Sequence, residues 1–151
     1  MTTTPSNSAP AATAGSTGPS RIRVQAAAMV VILLGQLLLG MANALWLQLP
    51  DSGSGWKAAA PVALLMAHVI LGVALLGNAV WVAVLASRAH DRTWLTASTV
   101  GVLGILLAVG AGSAFMNQTN NDGASYLMTV GTALAIAAYA LGLYRLPASS
   151  T

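Results

Sequence analysis

The run from Ala60 to Ser87, APVALLMAHVILGVALLGNAVWVAVLAS, limits what this chain can become more than any other stretch. As a helix rising 1.5 Å per residue, its roughly 28 residues reach about 40 Å, more than the roughly 30 Å hydrocarbon core of a bilayer. It contains one titratable side chain, His68. In lipid the backbone has no water to bond to, so an apolar run of this length reads as a membrane-crossing helix.

Three more runs have the same character: Val24 to Leu49, about Trp94 to Met116, and about Ala124 to Arg145. The chain is 56% hydrophobic and 6% charged, whereas soluble domains carry about 25% charged residues. The predicted fold is therefore an all-α four-helix transmembrane bundle spanning residues 21–146, with helices near 24–49, 58–87, 94–116 and 124–145. Residues 1–20 are Ser, Thr, Ala, Pro and Gly without a charge; they cannot bury enough surface to offset their ordering entropy and are expected to form a disordered tail. Residues 147–151 are expected to be a short loose tail. The amino-terminal segment is not expected to act as a signal peptide, because the apolar run that follows Arg21 and Arg23 is of full transmembrane length.

Breakers Pro50, Gly53 and Gly55 separate helices 1 and 2, and Pro61 falls in the first turn of helix 2, where its missing N–H costs nothing. Trp46, Trp56, Trp81 and Trp94 stand near helix ends, as in an interfacial aromatic belt, and Tyr139 and Tyr144 lie towards the end of helix 4. Helix 3 carries Gly101, Gly104, Gly110 and Gly112. Small residues let helix backbones approach in lipid, so helix 3 is expected at the centre of the bundle.

Five arginines fall at one set of helix ends: Arg21 and Arg23 before helix 1, Arg88 and Arg92 between helices 2 and 3, and Arg145 after helix 4. The opposite ends hold Lys57, Asp51 and Asp122. The positive-inside rule places both termini in the cytoplasm, in the cytoplasmic membrane of a bacterium. The net charge of +3 is thus topological, and with no continuous basic face nucleic acid is not an expected partner. The chain has no Cys, which removes disulfides, thiolate chemistry and cysteine-based metal sites.

The two hairpins can be laid over each other. Gly40–Gln48 matches Gly110–Gln118, and Leu71–Leu75 matches Val130–Leu134, with His68 opposite Leu127. This reads as a repeat about the membrane normal, with chance similarity between Ala/Leu/Gly-rich helices as the alternative.

His68 is the candidate site residue. Counted from a helix starting near residue 58 it lies about 15 Å deep, and helix 1 brings Gln36 to a comparable depth, where its amide can bond His68. An intramembrane histidine serves as a haem ligand, a proton relay or a quinone hydrogen-bond partner, or as a neutral residue satisfied by a neighbouring helix. Haem b between paired histidines is disfavoured, because His90 lies in the loop at the far end of the same helix; ligation with Met41, Met66 or a second chain is the remaining haem option. No metal site is expected, since no acid or second histidine shares the depth of His68. A second group, Asn43, Gln48, Ser113, Asn117, Gln118, Asn120, Asn121 and Asp122, gathers at the end opposite the arginines, either as an outward polar pocket or as loop and cap chemistry. Asn78, near the arginine end of helix 2, is expected to bond another helix. No nucleophile–base pair, carboxylate pair or phosphate-cradling glycine loop is present, so catalytic residues are not assigned.

With the His68-xxx-Gly72 run in helix 2 and the stretch from Gly110 to Tyr144 read, the chain resembles small four-helix integral membrane proteins of actinobacteria, from about Gln25 to Pro147. The resemblance implies a polar Asn-rich turn between helices 3 and 4 and a histidine in helix 2. It carries no activity with it; the Ala/Gly/Leu-heavy composition fits a high-GC source. The expected function is a non-enzymatic structural or accessory membrane component, acting in the lipid bilayer as a homo-oligomer or within a larger membrane complex. The alternatives are a haem- or quinone-associated redox protein using His68 and Gln36, and a small oligomeric transporter with the polar cluster as its vestibule.

Overall fold

The computed structural model describes residues 19–46, 56–57, 62–117 and 122–145. The expected tail up to residue 18, Pro61, Gln48, Gln118, Asn120, Asn121 and the carboxy-terminal tail lie outside the described residues. Four helices account for nearly all the rest: α1 (Pro19–Trp46), α2 (Ala63–Arg88), α3 (Arg92–Asn117) and α4 (Asp122–Arg145). There is no strand among the described residues. Every helix is long and apolar enough to cross a membrane, and the chain is a multi-pass membrane protein. At 1.5 Å per residue the helices measure from about 36 to about 42 Å.

Several hydroxyls are satisfied within their own helix, where lipid offers no water. Threonines donate back to the carbonyl four residues earlier: Thr96 to Arg92 at 2.8 Å, Thr99 to Leu95 at 2.8 Å and Thr132 to Met128 at 2.9 Å. Between α2 and α3 the chain reverses within three residues, Ala89 to Asp91. His90 adopts a left-handed φ of 54° there, and its amide donates to the Ser87 carbonyl at 3.2 Å, closing the helix end. Asp91 then caps α3, its Oδ1 accepting from the Thr93 amide at 2.9 Å and the Trp94 amide at 3.2 Å.

Contacts along the chain fix the topology. Moving up α1, Gln25 bonds Asn78 and Gln36 bonds His68, so α1 and α2 are antiparallel. Trp94 faces Gly142, Gly101 faces Tyr139 and Gly112 faces Met128, so α3 and α4 are antiparallel as well. The helices close into an up-down-up-down ring in which each packs on two neighbours, α1 on α2 and α4, and α3 on α2 and α4. All five arginines stand at one end of that ring.

Helix 3 therefore occupies a corner of the bundle and is not its centre. Its small residues serve one neighbour: the α3–α4 interface is the most extensive of the four. A Cβ on Gly104 would lie 2.7 Å from the Gly131 carbonyl oxygen, and one on Gly131 2.5 Å from the Gly104 carbonyl oxygen, so the two backbones touch. The Tyr139 ring fills the notch at Gly101, where a Cβ would come within 2.6 Å of it.

Buried positions recur at alternating steps of three and four residues. On α1 they are Ile22, Ala26, Met29, Leu33, Gln36 and Asn43, and on α2 Leu65, Leu75, Ala79, Val82 and Ala86. This 3.5-residue period is that of left-handed bundle packing. It also separates the two halves of the proposed repeat. The matched pairs Gly40/Gly110 and Asn43/Ser113 set a position on the α1 seam against an exposed position on α3, so the sequence register of the repeat does not carry burial with it.

Candidate functional site

The interior polar groups lie chiefly along the α1–α2 seam. At the arginine end Gln25 Nε2 donates to Asn78 Oδ1 at 2.6 Å, and Asn78 Nδ2 donates to Met29 Sδ at 2.8 Å. The seam turns Gln25 and Met29 towards α2, one helical turn apart, and Asn78 bridges them. Asn78 thus makes the interhelical bond its position implied, with Gln25 as the partner that the sequence did not single out.

Further along, Gln36 Nε2 donates to the main-chain carbonyl of His68 at 2.8 Å. The sequence predicts contact between these residues; the bond goes to the backbone, not to the imidazole. The ring meets α1 at Gly40 by its Cε1 edge, where a Cβ would sit 3.0 Å from Cε1 and 3.7 and 3.8 Å from Nδ1 and Nε2. Gly72 makes room for the Gln36 amide in the same way, at 3.2 Å. Two glycines thus shape this junction: one admits an imidazole, the other an amide. His68 stands in the second turn of α2, nearer the arginine-free end than the mid-depth expected from a helix starting near residue 58.

Three groups at this level have no hydrogen-bond partner among the described residues: Gln36 Oε1, His68 Nδ1 and both amide atoms of Asn43. Asn43 is buried on α1, while Ser113 is exposed on α3 and Asp122 exposed at the start of α4. The exposed Asn117 accepts a 3.1 Å bond from Trp56 Nε1, which ties the first connection to the end of α3. The outward polar residues that are described therefore do not converge on one pocket.

The α3–α4 seam holds a second set of interior polar atoms, Trp94 Nε1, Ser98 Oγ and Tyr139 OH, also without partners among the described residues. Trp94 is 1% exposed and Tyr139 0% exposed, whereas an aromatic belt would put both at the interface. Trp81, Trp46 and Tyr144 do face outward, with Tyr144 87% exposed. The spacing of Trp94, Ser98 and Gly101 on one helical face was the available signal for the burial of the first two.

Chemically, the seams offer amides, one imidazole and hydroxyls, with no charged residue inside the spans. No group of three His, Asp, Glu or Cys residues capable of holding a metal occurs among the described residues. Neither the groove between α2 and α3 nor that between α3 and α4 is lined by His68 or Gln36. A macrocycle on the Gly40 side of His68 would have to displace the α1 backbone. The fold and these seams define a four-helix multi-pass membrane protein whose interior is closed by glycine and amide packing. Comparison with protein-family models, with curated proteins and with solved structures yields no match to this chain.

Proposed function

We propose that this protein is a non-enzymatic structural or accessory component of the bacterial cytoplasmic membrane, acting by association of its lipid-facing helix surfaces with a second copy or with a larger membrane complex. One observation carries this reading. Gly35 on α1, Gly77 on α2 and Gly110 on α3 are exposed, and a Cβ added to any of them would meet nothing within 4 Å. Glycine in a helix interior costs about 1 kcal/mol relative to alanine, and at these positions no contact within the chain offsets that. Surface glycines in lipid permit close approach of a helix from outside. The arginine asymmetry supports cytoplasmic termini, and the resemblance to small actinobacterial four-helix proteins supports the same placement.

A second reading is favoured by the unpartnered atoms of Gln36, His68 and Asn43: a quinone or another small hydrogen-bonding molecule held at the α1–α2 seam. Haem fits less well, given the contact of the His68 ring with Gly40. The transporter reading draws no support from the dispersed outward polar residues.

Extraction of the full chain under mild detergent, with haem supplied during expression, decides between association and a bound cofactor. The expected product has no Soret band and releases no quinone into organic solvent, and His68→Leu leaves its extraction and oligomeric state unchanged. A Soret band or a stoichiometric quinone that disappears with His68→Leu overturns the structural reading.

A further inference from the structure

Two grooves of nearly equal size run along the bundle surface, and they differ in charge. The groove between α2 and α3, about 330 Å³, is lined by apolar residues with Ser87 and Thr99. The groove between α3 and α4, about 350 Å³, has the same kind of apolar lining but carries Arg92 and Arg145 at its mouth. The two guanidinium groups come from opposite directions, Arg92 from the first residue of α3 and Arg145 from the last residue of α4. Neither forms an ion pair among the described residues. The nearest acid in sequence, Asp91, turns its Oδ1 to the α3 amides. Thr93 adds a hydroxyl at the mouth, while the Thr96 hydroxyl is already given to the Arg92 carbonyl.

From the arginines the groove descends along Val100 on α3 and Ala138 on α4, about 12 Å from Arg92 at the helical rise. Its depth there comes from the tight α3–α4 approach, where Gly142 lies against Ala97 and Trp94. Paired cations at the membrane surface above an apolar channel of this depth match one chemistry: an anionic headgroup phosphate joined to an acyl chain. Guanidinium groups bind phosphate through paired N–H donors.

We propose that the α3–α4 groove binds one anionic phospholipid of the leaflet facing the arginine end, its phosphate held between Arg92 and Arg145 and an acyl chain laid along Val100 and Ala138. The α2–α3 groove, without cations, is its internal control. The site is independent of whether the protein associates with others or carries a ligand at His68.

The test uses the full chain in mild detergent, titrated with phosphatidylglycerol or phosphatidylcholine and read as lipid adducts by native mass spectrometry. One phosphatidylglycerol per chain is expected, with phosphatidylcholine at least tenfold weaker. Arg92→Gln and Arg145→Gln each weaken phosphatidylglycerol binding about fivefold, and together about thirtyfold. Arg88→Gln, exposed at the same end but outside the groove, leaves binding within twofold. Thr96→Trp, a substitution at an exposed position that fills the mouth without altering charge, also abolishes the adduct, while circular dichroism confirms that each variant keeps its helices. Equal binding of the two lipids, a loss with Arg88→Gln as large as with Arg92→Gln, or displacement of the lipid by millimolar inorganic phosphate would each overturn the proposal.

Discussion

At the scale of single residues, the membrane interior makes each polar atom an accounting problem, and this chain solves it unevenly. Gln25 and Asn78 satisfy each other and Met29, and Gln36 satisfies a backbone carbonyl that α2 already uses. The His68 imidazole instead rests against a glycine. Sequence reasoning finds the Gln36–His68 contact because two antiparallel helices must bring comparable depths together. It cannot choose between ring and carbonyl, since that depends on side-chain rotamers at one seam. His90 shows a different cost. Its φ of 54° is one that side chains with a Cβ adopt only with strain, whereas glycine does so freely. His90→Gly is expected to raise stability by roughly 0.5–1 kcal/mol, since the relieved strain exceeds the entropy glycine adds to the unfolded chain. Denaturation of the two proteins in mixed micelles checks it, and a lower midpoint for the glycine variant would show that the histidine ring contributes more than its backbone costs.

At the scale of helices, what was legible was existence, length and order, because charge-free runs and their Pro/Gly/Arg punctuation reflect bilayer thickness directly. Which face of each helix points inward was not. A membrane helix is apolar on both its lipid side and its buried side, so the stripe that marks the core of a soluble helix is missing. Trp94 and Tyr139 are the clearest cases. Near helix ends they resemble belt residues, and only the glycines opposite them, Gly142 and Gly101, reveal that they point inward. Within α3 the glycines themselves divide. Gly104→Leu is expected to cost about 3 kcal/mol or more by forcing a side chain against the Gly131 backbone. Gly110→Leu, about one and two-thirds turns away with open space around it, is expected to stay within about 0.5 kcal/mol of the parent or to stabilise it. Equal loss from both would mean that α3 turns a different face to α4.

At the scale of the whole molecule, an even number of antiparallel helices returns both termini to one side, and the proposal that this side is cytoplasmic rests on its five arginines. The chain has no cysteine, so single-cysteine reporters read topology without background. A membrane-impermeant maleimide applied to intact cells is expected to label Asp122→Cys, and to label Ser87→Cys only after permeabilisation; the reverse pattern would invert the protein. The bundle closes its own interior but leaves Gly35, Gly77 and Gly110 unused, and on this rests the claim that the protein acts through its lipid-facing surface. The most direct measurement is energy transfer between differently labelled copies of the full chain in vesicles, across a range of protein-to-lipid ratios and with membrane extract as a source of partners. Association is expected in the parent, weakened about tenfold by Leu at Gly35, Gly77 or Gly110 in at least one case, with the helices intact. A parent that stays monomeric and unaccompanied at every ratio, or three variants that all associate as the parent does, would contradict the account.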